Sequence, residues 1–311
     1  MRLIFMGTPE AAVPTLRRCL EDGHEVAAVW TQPDRPSGRG NKLKAPPVKE
    51  FARLCGLTVH QPAKIRNEEA AALFASYGAD AAVVVAYGRI LPQSFLRAPR
   101  FGCINVHFSL LPKYRGAAPV NWAIVRGETE TGVTTMLMDE GLDTGPMLLQ
   151  QKTAVGPKET APELMLRLSL AGADLLGETL RRLDQIEPRA QEDADATFAP
   201  MLKRGDGLIH WAQNALDIER RVRGFQPWPN AYTEYAAGRL AVWRASVEGG
   251  EESSAAEQPG TIIEAHGDDL RVACGERTAL SLHEVQPEGK RRMSVRDFLN
   301  GARLQAGSRL G

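Results

Sequence analysis

Residues 81–86 read Ala-Ala-Val-Val-Val-Ala, an apolar run that ends at Tyr87 and Gly88. A short valine-rich run of this kind is typical of a strand that is buried on both faces, as in a parallel sheet. Outward from it, further short apolar runs predict strands at 3–6, 26–30, 104–107 and 133–138. Periodicity and helix-boundary residues predict helices at 14–23, 48–55, 67–77, 119–125 and 163–183. This alternation predicts a Rossmann-like open parallel sheet with helices on both faces.

The character of the chain changes after residue 183. Residues 184–205 are polar and contain two prolines, which is typical of a linker. We therefore expect a first domain at 1–183, a linker at 184–205 and a second domain at 206–311. Short β-like runs in the second domain predict a small barrel of the oligonucleotide-binding (OB) type, and they lie at 232–235, 240–243, 261–264, 270–273 and 279–282. The glycines, acids and serines from 249 onward predict an exposed loop at 249–252.

Composition excludes several classes of protein. The 311 residues are 43% hydrophobic and 24% charged, enough for a two-domain globular chain with a large core. Net charge is zero, with 38 basic and 38 acidic residues, which argues against binding nucleic acid over the whole surface. The four cysteines are scattered and form no C-x-x-C pair, which indicates reduced thiols. No apolar run is long enough for a transmembrane helix or a signal peptide, so we expect a cytoplasmic protein with no membrane partner. We also expect a monomer.

The first predicted strand leads into Gly7-Thr8-Pro9-Glu10. A dinucleotide site would have the pattern G-x-G-x-x-G at this turn, and the second glycine is missing. A nicotinamide-dependent oxidoreductase is therefore disfavoured.

Asn105 and His107 lie two residues apart near the end of a predicted strand. Side chains at this spacing point to the same face, so an amide and an imidazole would converge at the ligand-binding edge of the sheet. Such a pair could stabilise an oxyanion and move a proton. The alternative is a polar pair that only satisfies the backbone of a loop.

A loop with two glycines and a proline follows the strand predicted at 133–138, and it carries Asp139, Glu140 and Asp143. An acid in this loop could orient His107 and favour the imidazolium form. The spacing does not choose among the three acids, and a solvated turn aspartate is the alternative.

Residues 33–49 form a stretch rich in proline, glycine and basic side chains. Five basic residues against Asp34 give it a net charge of +4, and they are Arg35, Arg39, Lys42, Lys44 and Lys49. We expect a long mobile loop at the ligand end of the sheet, suited to a phosphate-rich partner. A loop that is merely solvated is the alternative.

Taken together, these segments resemble folate-dependent formyltransferases. The Asn105-Val106-His107 and Ser109-Leu110-Leu111-Pro112 motifs and Asp143-Thr144-Gly145 are shared by these enzymes generally. Two further segments narrow the resemblance to the methionyl-tRNA formyltransferase family: the basic loop with Gln32-Pro33-Asp34-Arg35-Pro36, and Pro227-Trp228-Pro229. This chain resembles that family along essentially its whole length.

The resemblance implies a role for each matching residue. Asn105, His107 and Asp143 would be catalytic. The tetrahydrofolate would contact Ser109, Leu110, Leu111, Pro112, Val85, Ala86, Tyr87, Gly88, Ile90 and Leu91. The acceptor end of the initiator methionyl-tRNA would contact the basic loop at Arg35, Arg39, Lys42 and Lys44, and the C-terminal barrel would hold its inner side. The implied reaction is formyl transfer from 10-formyltetrahydrofolate to the α-amine of methionine, with no metal.

Phe108 departs from the family pattern, in which a small residue, commonly glycine, stands between the histidine and the serine. On an alternating strand Phe108 would point away from His107 and pack behind the site, although it could also narrow the folate slot. Two other readings compete: a folate-dependent formyltransferase that acts on an amino sugar nucleotide, and a non-catalytic RNA-binding module. The basic loop argues against the first, and the Asn105–His107 pair argues against the second.

Overall fold

The computed structural model describes residues 1–37, 42–247, 257–302 and 304–311. It divides into two compact units, the first built from Met1–Pro119, Glu130–Ala154 and Met165–Ala199 and the second from Val120–Thr129, Val155–Leu164 and Pro200–Gly311. Residues 184–199, inside the segment expected to be a linker, pack with the first unit. The loop expected at 249–252 lies outside the described residues.

The strands of the described residues are β1 (Arg2–Gly7), β2 (Glu25–Trp30), β3 (Arg35–Ser37), β4 (Lys42–Lys44), β5 (Val59–His60), β6 (Ala81–Val85), β7 (Cys103–His107), β8 (Arg115–Gly116), β9 (Glu130–Leu137), β10 (Met147–Ala154), β11 (Phe198–Ala199), β12 (Ala231–Tyr235), β13 (Gly238–Val247), β14 (Ile262–His266), β15 (Asp269–Ala273), β16 (Ala279–Pro287) and β17 (Met293–Ser294). The α-helices are α1 (Val13–Glu21), α2 (Pro47–Leu54), α3 (Glu68–Ser76), α4 (Gln93–Leu96), α5 (Pro119–Val125), α6 (Ala161–Arg181), α7 (Ala215–Gly224) and α8 (Val295–Gly301).

The main sheet of the first unit has the order β10-β9-β7-β6-β1-β2-β5. The five strands from β7 to β5 are parallel, and β9 and β10 continue the sheet in antiparallel fashion. The chain winds outward from β1 in both directions, to β2 on one side and to β6 on the other. The carboxyl ends of β1 and β6 therefore flank the point at which such sheets bind ligands.

Both faces of this sheet are covered. On one face Trp30, Phe74 and Phe95 pack together, with the Phe74 and Phe95 rings stacked at 4.2 Å between centroids. Helices α3 and α4 supply the two phenylalanines, and α3 begins where the Asn67 side chain accepts the backbone N–H of Ala70. On the other face α6 approaches β7 and β9, and its Thr179 hydroxyl bonds that of Thr135. The predicted Rossmann-like arrangement is confirmed.

Sequence reasoning missed the antiparallel edge strand β10. Its sequence, Met-Leu-Leu-Gln-Gln-Lys-Thr-Ala, becomes polar and exposed along its length, so it lacks the apolar alternation that signals a strand. The expectation of a long loop at 33–49 is also corrected. That stretch contains the antiparallel pair β3–β4, and α2 begins inside it at Pro47.

The second unit contains an antiparallel sheet of order β12-β13-β16-β15-β14, with β17 paired to β16. The expected β-rich second domain is confirmed. Its core joins Leu240 and Leu282 of the sheet to Ile218 of α7 and Phe298 of α8, all at most 4% exposed. Helix α7 begins where the Asn214 side chain accepts the Asp217 N–H at 2.8 Å.

Among the described helices, none combines the length and the apolar character that crossing a bilayer requires. Cys19, Cys103 and Cys274 are buried and Cys55 is exposed, all as free thiols. Burial raises the pKa of the Cys103 thiol to about 12, which keeps it protonated and unreactive.

Candidate functional site

Strand β7 carries Asn105 and His107 on one face at its carboxyl end. The strand is held between β6 and β9, with Asn105 opposite Met136 and His107 opposite Thr134. Both side chains are buried, at 8% and 6% exposure. Among the described residues, no hydrogen bond engages the Asn105 carboxamide, so its N–H groups are available to a ligand. The structure thus places the amide and the imidazole two residues apart on one strand, where alternation puts them on the same face.

The His107 ring is oriented by a backbone carbonyl. Its Nε2 lies 3.0 Å from the carbonyl oxygen of Tyr114. A carbonyl oxygen only accepts, so Nε2 carries the hydrogen in this contact. Its Nδ1 lies 3.8 Å from Asp143 Oδ2, beyond hydrogen-bond distance. Nδ1 is therefore the ring nitrogen that remains available to a reacting group.

The loop after β9 separates the three candidate acids. Asp139 accepts the Gly141 N–H at 3.0 Å and the Thr144 hydroxyl at 2.8 Å, so it closes the turn of the loop. Glu140 accepts a hydrogen bond from the Gln93 side chain. Asp143 alone of the three reaches His107, and its Oδ2 accepts the Gly116 N–H at 2.8 Å. Of the three acids, Asp143 is therefore the one that lies beside His107.

Hydrogen bonds from residues that sequence reasoning missed fix the backbone of the segment after β7. The Thr134 hydroxyl donates to the Ser109 carbonyl at 2.7 Å and accepts the Leu111 N–H at 3.1 Å. The Gln150 amide donates to the Leu111 carbonyl at 2.8 Å. No local signal could have found them, because Thr134 and Gln150 come from β9 and β10 and meet the segment only in the folded sheet.

Some of the residues expected to contact folate line one cavity, and others line a second cavity. A cavity of about 650 Å³ is lined by Ile90 and Leu91 together with Arg66 and Glu140. A second, of about 490 Å³, is lined by Ala86, Tyr87 and Gly88 together with Thr8, Gln32, Arg35 and Lys44. Neither lining includes Val85, Ser109, Leu110, Leu111 or Pro112. Val85 and Ser109 are fully buried, and Leu111 is 3% exposed.

The expected basic loop presents fewer free charges than its sequence suggests. Lys49 is 6% exposed, and its Nζ lies 2.7 Å from both carboxylate oxygens of Asp34. The Gln61 amide also donates to Asp34, at 2.8 Å. Bonds from Lys49 and Gln61 hold the pKa of Asp34 below its ordinary value. Lys49 is thus a structural counter-ion and is not available to a partner.

The remaining basic residues lie on or next to the β3–β4 pair. Arg35 and Lys44 are exposed and opposite each other in the register of the two strands. Lys42 belongs to β4, but its side chain and the whole of Arg39 lie outside the described residues. The backbone behind the pair is braced where Gln32 donates to the Tyr87 carbonyl at 3.1 Å.

Phe108 packs behind the site, on the face of the sheet opposite His107. It is 5% exposed and faces Gly172 of α6, where an added Cβ would lie 3.4 Å from its ring. The same added Cβ would lie 2.8 Å from Val106. The large side chain at position 108 therefore fills space under α6, and Gly172 provides that space.

Two family models match the chain: formyl transferase over residues 1–180, and formyl transferase, C-terminal domain, over residues 201–303. The chain belongs to the formyl transferase family, whose members use folate derivatives. The methionyl-tRNA formyltransferases of Geobacter metallireducens and Solibacter usitatus are each 50% identical to it over 313 residues. Each alignment covers 100% of this chain and 99% of the relative. Within the family, the chain groups with the methionyl-tRNA formyltransferases.

Solved structures share the fold at low identity. The sugar 3N-formyl transferase WlaRD, solved in the presence of dTDP and 5-N-formyl-THF, has a TM-score of 0.67 at 14% identity, covering 94% of this chain and 99% of that one. HypX from Aquifex aeolicus in complex with tetrahydrofolic acid has a TM-score of 0.63 at 15% identity, covering 96% of this chain and 47% of that one. At these identities the likeness establishes the fold alone.

Proposed function

We propose that this chain transfers the formyl group of 10-formyltetrahydrofolate to the α-amine of methionine on initiator methionyl-tRNA. The observation that carries the proposal is the placement of buried Asn105 and His107 on one face of β7, with Asp143 beside His107, in a chain with full-length methionyl-tRNA formyltransferase relatives. Formyl transfer passes through a tetrahedral intermediate with a negative oxygen. Preorganised donors for that oxygen are what such a site must supply.

Asn105 and His107 supply the donors. Asn105 and His107 are both buried and lie two residues apart on one face of β7, so the carboxamide N–H and an Nδ1–H of His107 can serve the same oxyanion. With Nε2 bonded to the Tyr114 carbonyl, donation from Nδ1 requires the doubly protonated ring. The carboxylate of Asp143 lies 3.8 Å from Nδ1.

Bound 10-formyltetrahydrofolate supplies the formyl group. The neutral amine forms a C–N bond to the formyl carbon while Asn105 and His107 bond the developing oxyanion. The amine gives up a proton, which Asp143 takes through a water molecule. The bond from the formyl carbon to the folate nitrogen then breaks, and that nitrogen takes up a proton.

The two cavities fit two different substrates. The larger one combines the apolar side chains of Ile90 and Leu91 with the cation Arg66, which suits a folate with its aromatic rings and carboxylates. The smaller one lies at the ends of β1 and β6 and is also lined by Arg35 of β3 and Lys44 of β4, which suits the phosphates of an RNA end. We propose that residues 109–112 contact folate as a shaped loop held by Thr134.

We also propose that residues 1–183 form the catalytic domain, that 184–205 connect it, and that 206–311 bind tRNA. A cytoplasmic monomer that needs no metal stays a prediction from the sequence. A translation-initiation role is in keeping with that compartment.

The test offers two acceptors to the purified chain in the presence of 10-formyltetrahydrofolate: methionyl initiator tRNA and an amino sugar nucleotide. We expect formyl transfer to the tRNA alone, and its loss in His107→Ala with folding unchanged. Transfer to the sugar alone would replace the proposed substrate and leave the site intact. If neither acceptor is formylated, the proposed function is wrong.

A further inference from the structure

The segment that follows α6 reaches back to the candidate site. Gln191 donates through Nε2 to two backbone carbonyls of the acid loop, that of Asp143 at 2.8 Å and that of Gly145 at 2.7 Å. Residues 191 and 143 are 48 positions apart, and the predicted role of this segment was only to link domains. The contact therefore gives the segment a part in shaping the site.

The orientation of the Gln191 carboxamide is determined by its partners. Its Oε1 accepts from Arg115 Nε at 3.0 Å, and a guanidinium only donates. The two carbonyls on the other side only accept. Arg115 is 4% exposed and is itself held by Asp193 at 2.9 Å. Only a side chain with one acceptor and a double donor satisfies this position, and a glutamine has both.

The same segment fixes the other side of the His107–Asp143 pair. The Thr197 hydroxyl accepts the Tyr114 N–H at 2.9 Å, and the Thr197 carbonyl accepts the Arg115 N–H at 2.9 Å. Tyr114 presents the carbonyl that orients His107 Nε2. Residues 191–197 thus hold the backbone that orients the histidine and the backbone that carries the acid.

Both supported residues have an unfavourable backbone conformation. Tyr114 has φ 61° and Asp143 has φ 54°, in the left-handed region that residues with a Cβ rarely adopt. Such conformations persist only where the surrounding contacts enforce them. Without the bonds from Gln191, the Asp143 loop would be free to relax away from His107.

We propose that Gln191 is a positioning residue for formyl transfer: through the Asp143 and Gly145 carbonyls it holds the carboxylate of Asp143 at its place beside His107. The inference rests on the proposed function, because it requires Asp143 to act in the transfer. A displacement of about 1 Å at a reacting group can cost on the order of 10²-fold in rate. The predicted loss is therefore in turnover and not in substrate affinity.

The experiment is a double-mutant cycle on formyl transfer to methionyl initiator tRNA. Gln191→Met keeps the size of the side chain and removes its bonds, whereas Gln191→Glu keeps the acceptor and removes the donor. In the otherwise unchanged chain, we expect each to lower kcat about tenfold or more, with both KM values within about twofold. In the Asp143→Ala background, we expect either Gln191 substitution to alter the residual kcat by less than about twofold. In that background there is no carboxylate at position 143 for Gln191 to hold in place.

Gln226→Met is the matched control. Gln226 is 9% exposed and also donates to two backbone carbonyls, those of Val222 and Trp243, in the second unit. We expect Gln226→Met to change kcat by the same factor in the parent chain and in the Asp143→Ala background. If Gln191→Met does not unfold the protein and its effect on kcat is the same in both backgrounds, Gln191 is only structural and the inference is wrong. An unchanged kcat in Gln191→Glu would also overturn it. A parent chain that transfers no formyl group would instead reject the proposed function.

Discussion

His107 Nδ1 lies 3.8 Å from Asp143 Oδ2, and that same oxygen accepts the backbone N–H of Gly116 at 2.8 Å. The acid is thus held by the backbone of another segment, beside the histidine but short of bonding it. This arrangement places a carboxylate next to the ring and leaves Nδ1 without a hydrogen bond to it.

Replacing Asp143 by asparagine tests the role of that charge. An asparagine oxygen still accepts the Gly116 N–H, so the loop should keep its shape. We expect kcat to fall by on the order of 10²-fold because the negative charge beside the imidazole is lost. Steady-state kinetics with thermal unfolding measures both parts of this expectation. Turnover near that of the parent chain would show that the negative charge is unnecessary.

Asn105→Ala removes a donor that has no described partner in the fold. We expect kcat to fall by on the order of 10²–10³, the usual cost of losing one oxyanion donor. Since no described hydrogen bond is broken, the melting temperature should change little. Asn105→Asp, of equal size but without the N–H donors, should be at least as slow. An active Asn105→Asp variant would contradict the donor role.

Lys44→Ala and Arg35→Ala test phosphate binding by the β3–β4 pair. Each should weaken tRNA binding and reduce the magnitude of its salt dependence by about one released counter-ion, measured as log Kd against log salt. Lys152→Ala is the control, because Lys152 is an exposed lysine on the edge strand β10, at the far side of the sheet. Equal slopes in all three variants would mean that the pair does not contact phosphate.

The Asp34–Lys49 pair predicts a pH dependence of stability. The folded state holds the pKa of Asp34 below its ordinary value of about 3.9, so ionised Asp34 stabilises the fold. That contribution is complete above the ordinary pKa and is lost as the pH falls through the lower, folded-state pKa. Urea unfolding should therefore show the largest difference between the parent chain and Asp34→Asn near neutral pH, and a shrinking difference below about pH 4. A difference that stays constant with pH would contradict the ion pair.

Gly172→Ala tests the packing of Phe108 under α6. The added Cβ would lie 2.8 Å from Val106 and 3.3 Å from Val133, so side chains or the helix must shift. We expect a loss of about 1–3 kcal/mol in the free energy of unfolding. Gly301→Ala in α8 is the control, since no atom lies within 4 Å of its added Cβ. An equal free energy of unfolding in the two variants would show that α6 shifts to accommodate the added Cβ without loss of stability.

The part of the site that sequence reasoning predicts well is local. The β7 strand follows from its apolar run, and strand alternation alone places Asn105 and His107 on one face. Asp143 is different, because the left-handed backbone that turns it toward His107 depends on contacts from distant segments. Sequence reasoning missed Thr134, Gln150 and Gln191 for the same reason, since each bonds backbone 23 to 48 positions away. The burial of Lys49 likewise appears only once Asp34 and Gln61 are folded around it.

The Asp34–Lys49 ion pair ties the chain together just outside the β3–β4 pair. The tie joins the residue before β3 to helix α2 without using the side chains of Arg35 and Lys44. Those residues are then free to diverge under selection for a particular RNA, with little penalty in folding. For the same reason, the β3–β4 pair is suited to exchange with the matching segment of a relative. Such an exchange would alter the preference for the acceptor RNA without changes at the catalytic centre.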